Sequence, residues 1–238
     1  MQRYFVTVKD NQVFLSQEDS FHLLKVMRAK VNENIEVVSQ NSVPYLAVIK
    51  SVNPLVIEVK EEIKEDNELK SDVTLFFALA KSDKIEFVIQ KATELGVNHI
   101  ILFQGNRSVV KFKMEDFNRK LARYQNIAKE ASEQCHREVI PEISYLPSIK
   151  EVKNHLSSLN LFAYELEKGK TNNFEELLKG NHSSLSVIIG PEGGFDKSEA
   201  EYLNSIGFKN ISLGKRILRC ETAAVYALSV IAFNLEKK

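Results

Sequence analysis

The chain is poor in the residues that build covalent or metal scaffolds. It has two cysteines, Cys135 and Cys220, and no Cys-x-x-Cys spacing, which excludes a disulfide framework and a cysteine-built zinc site and suits a reducing compartment. Nine glycines and five prolines in 238 residues are too few for a collagen-like or low-complexity chain. No apolar run approaches the roughly 18 residues of a membrane-spanning helix, and the opening Met1-Gln2-Arg3-Tyr4-Phe5 lacks the apolar core of a signal peptide. These absences predict a cytoplasmic protein with no membrane partner and no metal. Net charge is missing as well: 32 Lys and Arg balance 32 Asp and Glu, so the global field carries no hint of nucleic acid. What is present, 44% hydrophobic and 27% charged residues, is an ordinary globular composition long enough for one large domain or two modest ones.

Charge is unevenly placed. Residues 1–70 hold nine Lys and Arg against eleven Asp and Glu, whereas residues 105–125 hold Arg107, Lys111, Lys113, Arg119, Lys120 and Arg123 against only Glu115 and Asp116. That local excess is either a polyanion-binding surface or a solvated helix face, and charge alone leaves both open.

The hydrophobic pattern changes near residue 70. Before it, stretches 3–8, 13–15, 34–39, 45–52 and 55–59 are rich in Val, Ile, Phe and Tyr and read as short strands, which suggests a small β-barrel-like module. One helix interrupts them from about Ser20 to Arg28, with Phe21, Leu24 and Met27 at helical spacing, one apolar face, behind a Ser/Asp start. The polar run 61–68 reads as a linker. Beyond it, apolar strands at 73–80, 99–103, 159–165, 185–189 and 210–213 alternate with helices. Asp83-x-x-Glu86 resembles a capping box opening the first. A long helix carries Phe117, Leu121, Tyr124, Ala128, Ala131 and Cys135 in register, and further helices follow near 174–178, at 197–205 and at 221–235. Continuous apolar strands separated by helices predict a parallel sheet covered on both faces, with ligands beyond the carboxyl ends of its strands.

Two segments carry the chemistry. Ile188-Ile189-Gly190-Pro191-Glu192-Gly193-Gly194-Phe195 leaves a strand and enters a helix, and its glycines let a backbone approach a ligand closely beside free helix N–H groups. It lacks the Gly-Lys-Ser/Thr of a phosphate loop and the Gly-x-Gly-x-x-Gly of the common dinucleotide fold. The bland reading is a tight turn. Leu213-Gly214-Lys215-Arg216-Ile217-Leu218-Arg219-Cys220-Glu221-Thr222-Ala223 follows another strand and crowds Arg216, Arg219 and Glu221 among apolar residues, where charge is costly unless paired or used. Its bland reading is a helix start with flanking ions.

These two segments, together with Lys81-Ser82-Asp83-Lys84-Ile85-Glu86, Gln90-Lys91-Ala92-Thr93-Glu94-Leu95-Gly96-Val97, Arg3-Tyr4-Phe5, His22-Leu23-Leu24-Lys25-Val26-Met27-Arg28, Arg107-Ser108 and Glu130-Ala131-Ser132-Glu133-Gln134, resemble the RsmE family, 16S ribosomal RNA uridine-N3 methyltransferases of the SPOUT class. The resemblance covers nearly the whole chain. It departs at Asn32-Glu33-Asn34, where the family has a Gly-Asp turn, and at Cys220, where Thr is usual. It implies an α/β fold: a PUA-like β-barrel RNA-binding domain over 1–70, then a SPOUT-type trefoil-knotted parallel-sheet domain over 71–238 that binds S-adenosylmethionine. Residue by residue it implies cofactor contacts at Gly190, Glu192, Gly193, Gly194, Leu213, Gly214, Ile217 and Leu218. It further implies a homodimer acting on 16S ribosomal RNA in the small subunit.

Methylating N3 of uridine requires the N3 proton to leave, so Arg219 or Arg216 is expected to steady the developing charge on the uracil oxygens. Glu221 is expected to orient that arginine or to act as base. Arg3, Arg28, Lys81, Arg107 and Arg123 are the expected RNA contacts. His22 and His136 lie outside both loops and are expected to be structural. The competing class is a non-catalytic ribosomal RNA-binding protein whose glycine loops are only turns; stabilisation by S-adenosylmethionine separates the two.

Overall fold

A computed structural model describes residues 1–164 and 174–237. They form two compact units, Met1–Glu68 with Ser132–Val139, and Leu69–Ala131 with the chain from Ile140 onwards. Among the described residues no helix is long and apolar enough to cross a membrane.

In the first unit β1 (Arg3–Phe5), β2 (Thr7–Lys9), β3 (Gln12–Phe14), β4 (Asn34–Val38), β5 (Pro44–Val52) and β6 (Leu55–Glu62) form one sheet in the order β1-β4-β5-β6-β3-β2. β1 and β2 are separated only by Val6 yet lie at opposite edges of that sheet, so the sheet must curl on itself. The Gln40 side chain adds to the closure by bonding both the N–H and the C=O of Val8, at 2.9 and 3.1 Å. Tyr4, Val13, Leu23, Val37, Ile49 and Ile57 fill the interior.

The helix expected at 20–28 starts earlier, ends as a different kind of turn and is differently faced. α1 (Gln17–Phe21) starts on Ser16, whose hydroxyl accepts from the Asp19 N–H, and continues as a π-helical turn over His22–Val26. The wider turn rotates the following residues, so Leu23 is buried while Phe21 and Met27 are 63% and 49% exposed.

Residues 132–139 belong to this unit through charge. Arg3, 2% exposed, bonds Glu36 at 2.9 Å and the His136 carbonyl at 2.6 Å, while the His136 ring meets the same Glu36 carboxylate at 2.8 Å. Arg137 pairs with Glu68 at 2.6 Å. The predicted linker therefore carries an anchor at Glu68, and Arg3 is corrected from an RNA contact to an internal strut whose guanidinium is withdrawn from solvent.

The second unit is a six-stranded sheet in which every neighbouring pair is parallel, in the order β12-β10-β11-β7-β8-β9. Its strands are β7 (Asp72–Ala78), β8 (His99–Phe103), β9 (Glu142–Leu146), β10 (Leu159–Ala163), β11 (Ser184–Ile189) and β12 (Lys209–Ile211). Alternation along β7 serves two cores. Val73, Leu75 and Phe77 pack under α2 (Ser82–Glu94), α3 (Met114–Gln134) and α6 (Cys220–Glu236), whereas Phe76 and Ala78 face α5 (Lys197–Ser205) and a 3₁₀ turn at Ile149–His155. Burial on both faces explains why these strands read as unbroken apolar runs.

Two expectations change. The sequence pattern shows no strand between the long helix and residue 159, yet β9 and the 3₁₀ turn lie there. Helix α2 begins at Ser82 with Lys81 as an uncapped N-terminal residue, which puts Asp83 inside the first turn and leaves no capping box with Glu86. The true capping box is Asp196 with Glu199 at the start of α5. The predicted end of the 159–165 strand, Glu165, lies outside the described residues.

Candidate active site

The strand order gathers the chemistry. β10 lies between β11 and β12, so the two glycine-bearing loops, which follow β11 and β12, are not on adjacent strands; they flank the carboxyl end of β10 from either side. β7, on the far side of β11, delivers the start of α2 to the same edge. Together these segments enclose a cavity of about 400 Å³, at the carboxyl ends of parallel strands where ligands of such sheets bind.

Of the predicted cofactor residues, Gly190, Glu192, Gly194, Leu213, Gly214, Ile217 and Leu218 line the cavity, as do Arg216 and Arg219. Gly193 is not among the lining residues. Its carbonyl accepts from the Arg107 guanidinium at 3.0 Å, and a Cβ there would come within 3.1 Å of the Arg107 side chain. Two glycines are required by backbone conformation: Gly194 has φ +67° and Gly214 φ +101°, where a β-branched residue is strained. The first loop is held rigid from behind. Asn106 donates to Asp196 at 2.7 Å and, through its backbone N–H, to Glu199 at 2.8 Å. Bonds from Ser198, Asn106 and the Glu199 N–H hold the Asp196 carboxyl down at about 2.

The site also contains a residue that function-directed reading of the sequence passed over. Lys84, on the first turn of α2, lines the cavity and pairs with Glu192 at 3.2 Å and Glu221 at 3.3 Å. Burial works against its charge, but bonds to these two carboxylates outweigh it and raise its pKa above the ordinary lysine value. Glu221 shows the reverse: burial would raise it, yet its own backbone N–H in the first turn of α6, the Cys220 thiol and Lys84 together hold it below the usual carboxylate range. The Cys220 thiol donates to Glu221 at 3.3 Å, and burial with that carboxylate pushes its pKa up to about 12, so it stays neutral. No ion pair joins Arg219 to Glu221 among the described residues, which corrects the expectation that this glutamate orients that arginine. Arg216 and Arg219 are exposed, so their charge is not crowded into the interior as the sequence suggested.

The other predicted RNA contacts scatter. Arg28 and Lys81 are exposed, Arg107 is exposed but tied to the Gly193 carbonyl, and Arg123 pairs with Glu86 at 2.7 Å while remaining 69% exposed. His22 and His136 both sit in hydrogen bonds within the first unit, His22 with the Tyr4 hydroxyl at 2.9 Å.

Comparison with known proteins converges on the same regions. Residues 67–232 match the family described as RNA methyltransferase domain, and residues 15–62 match that described as RNA methyltransferase PUA domain. The chain is 36% identical to a ribosomal RNA small subunit methyltransferase E from Mesomycoplasma hyopneumoniae, over 96% of this chain and 98% of that protein. It is 34% identical to the protein of the same name from Bacillus subtilis, over 99% and 98%. A crystal structure of ribosomal RNA small subunit methyltransferase E from Neisseria gonorrhoeae bound to S-adenosyl methionine superposes with a TM-score of 0.83 at 27% identity, covering 98% of this chain and 97% of that one.

Proposed function

The chain belongs to the RsmE family of ribosomal RNA small subunit methyltransferases, SPOUT enzymes with a PUA-like amino-terminal domain, and on that premise we propose that it methylates N3 of a uridine in 16S ribosomal RNA. The methyl donor is S-adenosylmethionine. The observation that carries the reading is the cavity made by the loops after β11 and β12, in which positive-φ glycines at 194 and 214 bring bare backbone to the wall.

The residues present fit that donor. The volume suits a nucleoside-sized ligand, Gly214 leaves open space where a side chain would stand, and the Glu192 carboxylate in the lining offers a partner to a cationic group. Bound there, the donor supplies an electrophilic methyl group on a sulfonium. Gly190, Gly194, Leu213, Gly214 and Leu218 would hold it. Arg219 and Arg216, unpaired among the described residues, would face the uracil oxygens and stabilise the anion formed as N3 loses its proton. Their charge makes the N3 proton easier to lose, and the ionised Glu221 carboxylate beside the cavity is the candidate acceptor for it. A paired uridine presents N3 to its partner base, so the target must be splayed out to react.

In this reading residues 1–70 form the RNA-binding domain and 71–238 the methyltransferase domain, with Arg28, Lys81, Arg107 and Arg123 contacting phosphate. The enzyme works as a cytoplasmic homodimer. A thermal-shift series with S-adenosylmethionine, ATP and NAD tests the cofactor directly: S-adenosylmethionine alone should raise the melting temperature, and no shift would favour the non-catalytic RNA-binding reading.

A further inference from the structure

Lys84, Glu192 and Glu221 form a three-membered charge group inside the cavity wall, drawn from α2, the loop after β11 and the first turn of α6. The lysine is 20% exposed and its two partners 28% and 18%; Lys84 and Glu192 line the cavity, whereas Glu221 reaches it only through its ion pair with Lys84. We infer that this group sets the preference of the cavity for the charged methyl donor over its uncharged-sulfur product, with Glu192 favouring the donor and Lys84 limiting that preference so that product and donor can exchange. The inference rests on the proposed cofactor.

The physical basis is the one charge that differs between the two ligands. S-adenosylmethionine and S-adenosylhomocysteine share the adenosine, the ammonium and the carboxylate; only the sulfonium charge is lost when the methyl leaves. A cavity of about 400 Å³ is, as a sphere, about 9 Å across, close to the Debye length of about 8 Å at physiological salt. A sulfonium inside it therefore lies within about one Debye length of the Glu192 carboxylate and is screened from it only in part.

Cys220 stays neutral. Arg216 and Arg219 also line the cavity, with their side chains exposed to solvent; their charge is the same in the parent and in every variant below, so it offsets the ratio of the two affinities without producing the shifts that Glu192 and Lys84 govern. Two carboxylates without a cation would hold the donor well but would also repel each other across the wall. The single lysine between them halves their field and fixes both side chains.

The test is calorimetric titration of each compound into the full-length parent, Glu192→Gln, Lys84→Met and Lys84→Arg, reading the ratio of the two dissociation constants. Glu192→Gln should shift the ratio toward the product by about three- to tenfold, Lys84→Met should shift it toward the donor by a similar factor, and Lys84→Arg should leave it near the parent value. A role limited to holding the fold would change both affinities together and leave the ratio fixed. An unchanged ratio in both Glu192→Gln and Lys84→Met, or shifts of the same sign, overturns the inference while leaving the cofactor in place. If Lys84→Met does not fold, Glu192→Gln against the parent decides it. A parent chain that binds neither compound overturns the proposed function and this inference together.

Discussion

Glu221 meets Lys84 at 3.3 Å beside the cavity, and Arg219, two residues before it, is exposed. In the proposed mechanism this divides the labour at the site: one cation holds the two carboxylates, and Arg216 and Arg219, unpaired among the described residues, are left for the substrate.

The free arginines should therefore matter for rate and not for cofactor. Arg219→Ala is expected to lower single-turnover methylation by about two orders of magnitude, the typical cost of losing one donor to a developing oxyanion. Affinity for S-adenosylmethionine, measured by calorimetry, should change less than about threefold. Full activity in Arg219→Ala would remove it from the chemistry.

The loop after β11 should be intolerant of a side chain at its left-handed position. Gly194→Val forces a β-branched residue to φ +67°, at a cost of order 1–3 kcal/mol that the loop can relieve only by moving. Cofactor affinity should fall by more than about tenfold while urea unfolding stays cooperative. Parental affinity in this variant would take the loop out of the site.

Acid should loosen the same loop from behind. The Asp196 carboxyl is depressed in the fold from 3.8 to about 2, so its contribution is fully present above pH 3.8 and is lost as the pH falls through about 2. The stability gap between the parent and Asp196→Ala should be constant from pH 7 to pH 4 and close between pH 3.8 and 2. A gap that is flat across the whole range contradicts the capping-box account.

Arg3 and Arg28 should part company. Removing Arg3 leaves Glu36 without its buried cation, so Arg3→Ala should destabilise the chain by about 3 kcal/mol. Arg28→Ala should leave stability unchanged and reduce the slope of log affinity against log salt for small-subunit RNA by about one. The reverse pattern would exchange their roles.

These outcomes trace what the sequence made legible. The loop after β11 could be read because a ligand-binding turn announces itself locally, through Gly190, Gly193 and Gly194 within five positions and a helix start directly after. The parallel sheet could be read because strands buried on both faces lose their alternation. Lys84 could not, since its partner Glu192 is 108 positions away and a lysine opening a helix looks like any solvated one. Arg3 was misread for the same reason: burial by Glu36 and the His136 carbonyl is a long-range fact. The strand β9 is five residues, Glu142-Ile143-Ser144-Tyr145-Leu146, with too short and mixed a pattern to stand out. The buried face of the 20–28 region was misassigned because a π-helical turn breaks the 3.6-residue period on which the reading depended.

The most direct measurement is transfer itself. Purified chain, labelled S-adenosylmethionine and small ribosomal subunits lacking the modification should give one methyl group per subunit, located at N3 of a uridine of 16S ribosomal RNA by nucleoside mass spectrometry, and none with Arg219→Ala on the same timescale. A methyl group on a ribose or on another base atom, or no transfer at all, would contradict the account.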